Sequence, residues 1–262
     1  MPRIDAHVHA FPDRLALAVR TRMGANGGLS GGALLADVAG LVRSAGFDSA
    51  WVLPYAHRAG VAETANEWSA HKASAYQWLV PGATFHPADD ALPRLVERAL
   101  VELRLRVVKL HCSVGQFSPA DPRLEPLWRT AAKMRVPVVV HAGQASPGDT
   151  NGSEVAELEP VLAAHADLRI VLAHAGHPAT ASTFVLMSRY ENLYADLTPV
   201  WDRPVAIAAA DLHRFPGRFL FGSDAPNNPL PPQDLALRFE EMALSETAFA
   251  LLMGGAAAAL LE

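Results

Sequence analysis

His7 and His9 stand one residue apart in "IDAHVHAF", a stretch with the apolar character of a strand. Side chains two apart on a strand leave the same face, ~6.5–7 Å apart along the chain, so both imidazoles can turn to one ion. Other residues able to bind a metal or move a proton fall at comparable places. His141 ends "VPVVVHAG", His174 ends "LRIVLAHAG" and Asp224 ends "RFLFGSDAP". Taken singly, each reads more simply as a hydrogen-bonded histidine or a turn aspartate. Together they put imidazoles and a carboxylate at several strand ends, which predicts a metal site. Cys112 is the only cysteine, so an intrachain disulfide and a thiolate cluster are excluded and the ligands are His, Asp or Glu.

Other residues are placed to meet a substrate. Lys109 and His111 in "KLH" share a strand face by the same period of two. His86 in "ATFHP" and Trp201 after "DLTPV" follow strand ends. The plain alternatives are a buried ion pair for Lys109 and ordinary loop positions for His86 and Trp201. Asp5 has the parity of the histidines but lies one step deeper, so it reads as support for them rather than as a ligand.

Short apolar runs alternate with longer Ala/Leu-rich stretches of helical spacing, the pattern of parallel βα units. Strands are expected at Arg3–His9, Asp48–Pro54, Leu79–Pro87, Arg106–Cys112, Pro137–Ala142, Leu168–His174, Asn192–Thr198 and Arg218–Asp224. Helices are expected at Ala33–Ala45, Val61–Gln77, Ala91–Arg104, Arg123–Met134, Ser153–His165, Pro178–Tyr190, Arg203–His213 and Pro232–Met242. Gly24–Gly32 reads as a flexible loop, and Gly254–Gly255 as a break before a closing helix. Eight such units predict an α/β protein, a (β/α)8 TIM barrel forming a single domain over residues 1–262. Barrel enzymes carry their chemistry at the C-terminal strand ends, where the histidines and Asp224 fall.

Half of the 262 residues are hydrophobic, which suits a large buried core, and no apolar run approaches membrane-spanning length. The start of the chain lacks the marks of a secretory signal, so a cytoplasmic protein is expected. A net charge of −5 without a Lys/Arg block argues against nucleic acid as partner. A small-molecule substrate is the expected partner, with a homodimer left open.

The motifs "DAHVHAF", "KLHCSVGQFSPADPRLEPLW", "VPVVVHAG", "LAHAGHP" and "FGSDAP", in that order, resemble the metal-dependent amidohydrolase superfamily, in its amidohydrolase-related branch of TIM-barrel hydrolases and decarboxylases. The resemblance covers nearly the whole chain. It implies one divalent ion, commonly zinc, held by His7, His9, His141 and Asp224, with Mn2+ or a second ion as alternatives. It makes Asp224 a proton carrier as well as a ligand, and His174 the catalytic neighbour that positions or protonates the substrate, polarising its carbonyl or stabilising the developing oxyanion. Some members of the superfamily carry a carboxylated lysine in strand four; the "KLH" motif resembles one-metal members, where an uncarboxylated Lys109 would attract an anionic group. Zinc would lower the pKa of bound water from ~15.7 towards ~7. The expected activity is hydrolysis of a small amide, lactone or ester by metal-activated water. Decarboxylation of an aromatic or unsaturated acid is the alternative, and a metal-dependent deoxyribonuclease a distant one.

Overall fold

A computed structural model describes residues 1–24, 29–143, 153–200 and 205–262. Eight parallel strands pair in sequence order: β1 (Ile4–Val8), β2 (Ser49–Val52), β3 (Leu79–Thr84), β4 (Val107–His111), β5 (Val138–His141), β6 (Ile170–Leu172), β7 (Leu193–Asp196) and β8 (Phe219–Leu220). Three backbone bonds bring β8 and the segment after it back to β1. Ala6 N–H donates to Phe221 O at 2.9 Å, Asp224 N–H to His7 O at 2.8 Å and His9 N–H to Ala225 O at 2.7 Å. The result is the expected (β/α)8 barrel.

Alternation along the strands sorts residues between two cores. On β4, Val108 and Leu110 pack outward among the helices, whereas Val107 joins Trp51, Leu53, Val139, Val171 and Leu220 in the core that fills the barrel. Lys109 and His111 share the face of Val107, so the same rule that buries valine below carries them up the inside of the barrel.

β1 departs from the rule. Asp5 pairs with Ala50 and Val8 with Val52, so β1 uses one residue more than β2 over this interval. This bulge turns His7 and His9 into the barrel while Asp5 points elsewhere, although the spacing predicts that they share a face. Asp5 Oδ1 instead accepts from the backbone N–H of His7 at 3.2 Å and of Ser223 at 3.0 Å, pinning the strand that carries the histidines to the one that leads to Asp224.

The helices follow the expected order with narrower bounds. α1 (Asp13–Gly24) forms where the alternation predicts none; its sequence is only weakly amphipathic and polar on average, so little in it announces a helix. α2 (Leu35–Ser44), α3 (Ala62–Lys72) and α4 (Leu92–Glu97) come next, and the last runs into a π turn at Arg98–Glu102. A short α5 (Cys112–Gly115) leaves β4 directly, and α6 (Glu125–Met134) is preceded by Asp121, whose carboxylate caps Arg123 N at 2.9 Å. The single helix expected over Ser153–His165 is two, α7 (Ser153–Ala156) and α8 (Glu159–Ala164), the second opening on Pro160. α9 (Thr180–Arg189), α10 (Ala209–Arg214) and α11 (Pro232–Glu240) complete the outer layer. The start of the helix expected from Arg203, and part of the loop expected at Gly24–Gly32, lie outside the described residues.

At the far end the chain closes the barrel floor. α12 (Glu246–Ala250) passes through a π turn at Leu251–Gly255 into α13 (Ala256–Ala259), and Ala256, Ala257 and Leu260 pack into the barrel core beneath Ile4 and Val107. Arg169 and Arg106 donate to Leu260 O and Leu261 O at 2.8 and 2.6 Å, holding the end of the chain in place. Among the described residues no helix is long and apolar enough to cross a membrane.

Gly254 is where the closing segment crosses β1 most tightly: a Cβ there would sit 2.1 Å from Pro2 O and 2.9 Å from Ile4 N. Gly254→Ala should therefore lower stability by about 1–3 kcal/mol through overpacking against backbone, read as a lower urea midpoint.

Candidate functional site

At the C-terminal mouth of the barrel, His7, His9 and Asp224 each offer a ligand atom, and these atoms lie within 4.8 Å of one another. His7 Nε2 is 3.1 Å from His9 Nε2, and His9 Nε2 is 3.1 Å from Asp224 Oδ1. Asp224 takes a left-handed backbone, φ 59°, which bends the chain after β8 towards β1.

The other ring nitrogens explain why these atoms face inward. His9 Nδ1 lies 2.6 Å from Leu53 O, and a carbonyl only accepts, so Nδ1 carries a proton. His7 Nδ1 lies 2.8 Å from Asp196 Oδ2, which places its proton in the same way. Burial, reinforced by the Lys109 cation, lowers the pKa of His7 to about 3, so its ring is neutral. Both histidines thus aim Nε2 at one point: the two Nε2 atoms face each other, Lys109 lies on the His7 side and the Asp224 carboxylate on the His9 side. Groups this close need a shared proton or a cation among them. That set, two imidazole nitrogens and one carboxylate oxygen, fits a divalent ion of the zinc or manganese kind.

Lys109 supplies one positive charge already. Its Nζ is 3.0 Å from His7 Nε2, and it is fully buried. Burial pulls its pKa down to about 8 against the attraction of Asp196 and Asp224, so it is an ammonium at neutral pH. Asp224 is only partly exposed, which resists its ionisation, but the hydrogen bond and charge of His9 override this and hold the carboxyl below its usual range.

His141 stands beside the three-residue cluster. Its ring stacks on His111 at 3.9 Å and meets His174 edge-on at 4.7 Å, and burial lowers the pKa of both of those neighbours. His174 also lies 5.4 Å from His7, ring to ring. It sits on a left-handed turn with Ala175, φ 54° and 46°, directly after β6. His174 Nδ1 is 3.2 Å from both Thr198 O and Pro199 O, so its neutral ring keeps the proton there and bares Nε2.

His86 is used differently from the expectation that it contacts substrate. Its Nε2 donates to Gly115 O at 3.0 Å and its Nδ1 accepts from Ala88 N–H at 3.1 Å, so backbone occupies both nitrogens. Trp201 lies outside the described residues. The sequence reading passed over two residues. Tyr55 meets His9 and His111 edge-on at 5.3 and 5.1 Å and walls the mouth. Asp196 ends β7, fully buried; its signal was an acidic residue on the inward face of an apolar strand, "LYADL".

The amidohydrolase family model matches residues 4–262. The chain belongs to the amidohydrolase family. Membership makes the protein an enzyme of a family that depends on divalent metals. No curated protein sequence matches it. Among solved structures, it resembles the uncharacterized TIM-barrel protein Bb4693 from Bordetella bronchiseptica, with TM-score 0.77, 19% identity, and 100% of this chain and 98% of that one covered. The 5-carboxyvanillate decarboxylase LigW from Sphingomonas paucimobilis gives 0.70 at 17% identity, covering 99% and 98%. The 5-carboxyvanillate decarboxylase from Novosphingobium aromaticivorans, complexed with manganese and a nitrobenzoic acid, gives 0.72 at 13%, covering 99% and 96%. These likenesses establish the amidohydrolase barrel fold.

Burial raises the Asp5 carboxyl from an ordinary 3.8 to about 7. Between those values the folded protein keeps a proton that the unfolded chain has released, so stability falls as pH rises through that window. Asp5→Asn keeps an acceptor for both backbone N–H groups. It should abolish a pH-dependent loss on the order of 3 kcal/mol between pH 4.5 and 7.5, seen by comparing urea denaturation of both proteins at those values. His86→Ala should cost about 1–2 kcal/mol in the same assay and leave bound metal unchanged.

Proposed function

We propose that this amidohydrolase is a zinc-dependent hydrolase of a small amide, lactone or ester. The observation that carries the reading is the convergence of His7, His9 and Asp224 on one point at the barrel mouth. His7 and His9 would hold the ion with Asp224, and His141 would complete the set. When bound, the ion supplies a Lewis acid that makes water acidic enough to attack at neutral pH.

The chain's own groups divide the remaining work. Asp224, ionised and 3.1 Å from His9, takes a proton from the attacking water and returns it to the leaving group. His174 in neutral form accepts at Nε2, so it orients water or a substrate N–H. The oxyanion-stabilising role expected of His174 then passes to Lys109, whose ammonium reaches the same point from β4. His111 and Tyr55 close the wall against which a small substrate lies.

The second reading is decarboxylation of an aromatic or unsaturated acid. The fold's likeness to 5-carboxyvanillate decarboxylases favours it, and Lys109 suits a substrate carboxylate equally well.

Purified protein should carry about one equivalent of zinc by elemental analysis, and the His7→Ala, His9→Ala double variant should carry none. Retention of wild-type metal by that variant would sink the site. A panel of amides, lactones and esters alongside aromatic acids separates the readings: the first group should turn over, whereas carbon dioxide release from the acids alone assigns a lyase.

A further inference from the structure

Asp196 has no place in the ligand set, yet it touches both halves of the site. Its Oδ2 accepts from His7 Nδ1 at 2.8 Å, while its Oδ1 accepts from the backbone N–H of His174 at 2.8 Å and of Thr198 at 3.2 Å. The first contact is to a side chain of β1; the others are to the left-handed turn after β6 and the end of β7. Among the described residues, no group except the Thr198 hydroxyl, 3.2 Å away, could donate to His7 Nδ1, and an ionised carboxylate can only accept.

We propose that Asp196 is a positioning residue that sets the His7 tautomer and, through its second oxygen, fixes the turn carrying His174 in register with that ring. One rigid carboxylate would then tie metal affinity to the placement of His174, two properties that arise from β1 and β6, three strands apart in the ring. An oriented carboxylate behind a ligand histidine commonly strengthens metal binding by 10–100-fold. Here the same group also satisfies N–H donors of a turn that Ala175 and His174 hold in a costly backbone conformation.

Asp196→Asn is the informative change because it preserves volume but offers one acceptor and one donor. If the amide oxygen keeps the two backbone N–H groups, its NH2 faces His7 Nδ1 and forces the proton to Nε2, towards His9. If the amide turns over, His7 is served and the turn loses its acceptor.

The metal-binding arm rests on the metal site proposed above; the tautomer arm does not. In metal-free wild type, 15N-resolved NMR of the imidazoles should find the His7 proton on Nδ1. In Asp196→Asn it should move to Nε2, or the His174 and Thr198 amide signals should shift with loss of exchange protection. Zinc titration should show 10–100-fold weaker binding by the variant. A wild-type His7 protonated at Nε2 overturns the proposal even if the variant fails to fold. So does a folded variant with unchanged tautomer, amide signals and zinc affinity. Wild type that takes no zinc overturns the metal reading instead, and the tautomer then decides the role of Asp196.

Discussion

Like electron pairs do not share a dry pocket unless something positive stands between them. The mouth of this barrel brings two imidazole nitrogens and a carboxylate oxygen to within 4.8 Å, and the surroundings hold each group in that direction. Leu53 O and Asp196 claim the outer nitrogens of His9 and His7, and the bend at Asp224 delivers its carboxylate from β8. Lys109 answers part of the negative potential, and the proposed divalent ion would answer the rest. The amidohydrolase barrel can be read as the apparatus that makes this local frustration affordable.

Its cost is distributed rather than concentrated. Left-handed backbone at His174, Ala175 and Asp224 occurs at the ends of β6 and β8, where the hydrogen-bonded ring of strands stops and neighbouring chain can hold an awkward turn. The core below supplies the rigidity. Trp51, Leu53, Val139, Val171 and Leu220 fill the barrel, and α13 seals the end remote from the chemistry. The polar layer therefore rests on an apolar one, and β4 passes from Val107 in the second to Lys109 and His111 in the first within a few residues.

Much of this was legible in the sequence because alternation and helical spacing leave direct traces. All eight strands fall where apolar β-branched runs predict them, and His7, His9 and Asp224 at three strand ends come together at one mouth. What was not legible depended on relations between distant segments. The bulge of β1 shows only against its partner β2, so Asp5 was assigned the wrong face. Asp196 reads as one acid among many until His7 and the His174 turn close around it. His86 looked available because the sequence cannot show which backbone groups will occupy a ring. α1 went unseen since its sequence is only weakly amphipathic.

The bulge in β1 also has a meaning for how such a strand can change. It works as a half-period phase shift placed between Asp5 and Val8: below it Ile4 and Ala6 face the barrel core, and above it His7 and His9 do, while Val8 packs outside. The two histidines are thus in step with each other but out of step with everything that precedes them. Substitutions along this strand are local in effect, whereas gain or loss of a single residue ahead of His7 would reverse the phase and turn both imidazoles to the helices.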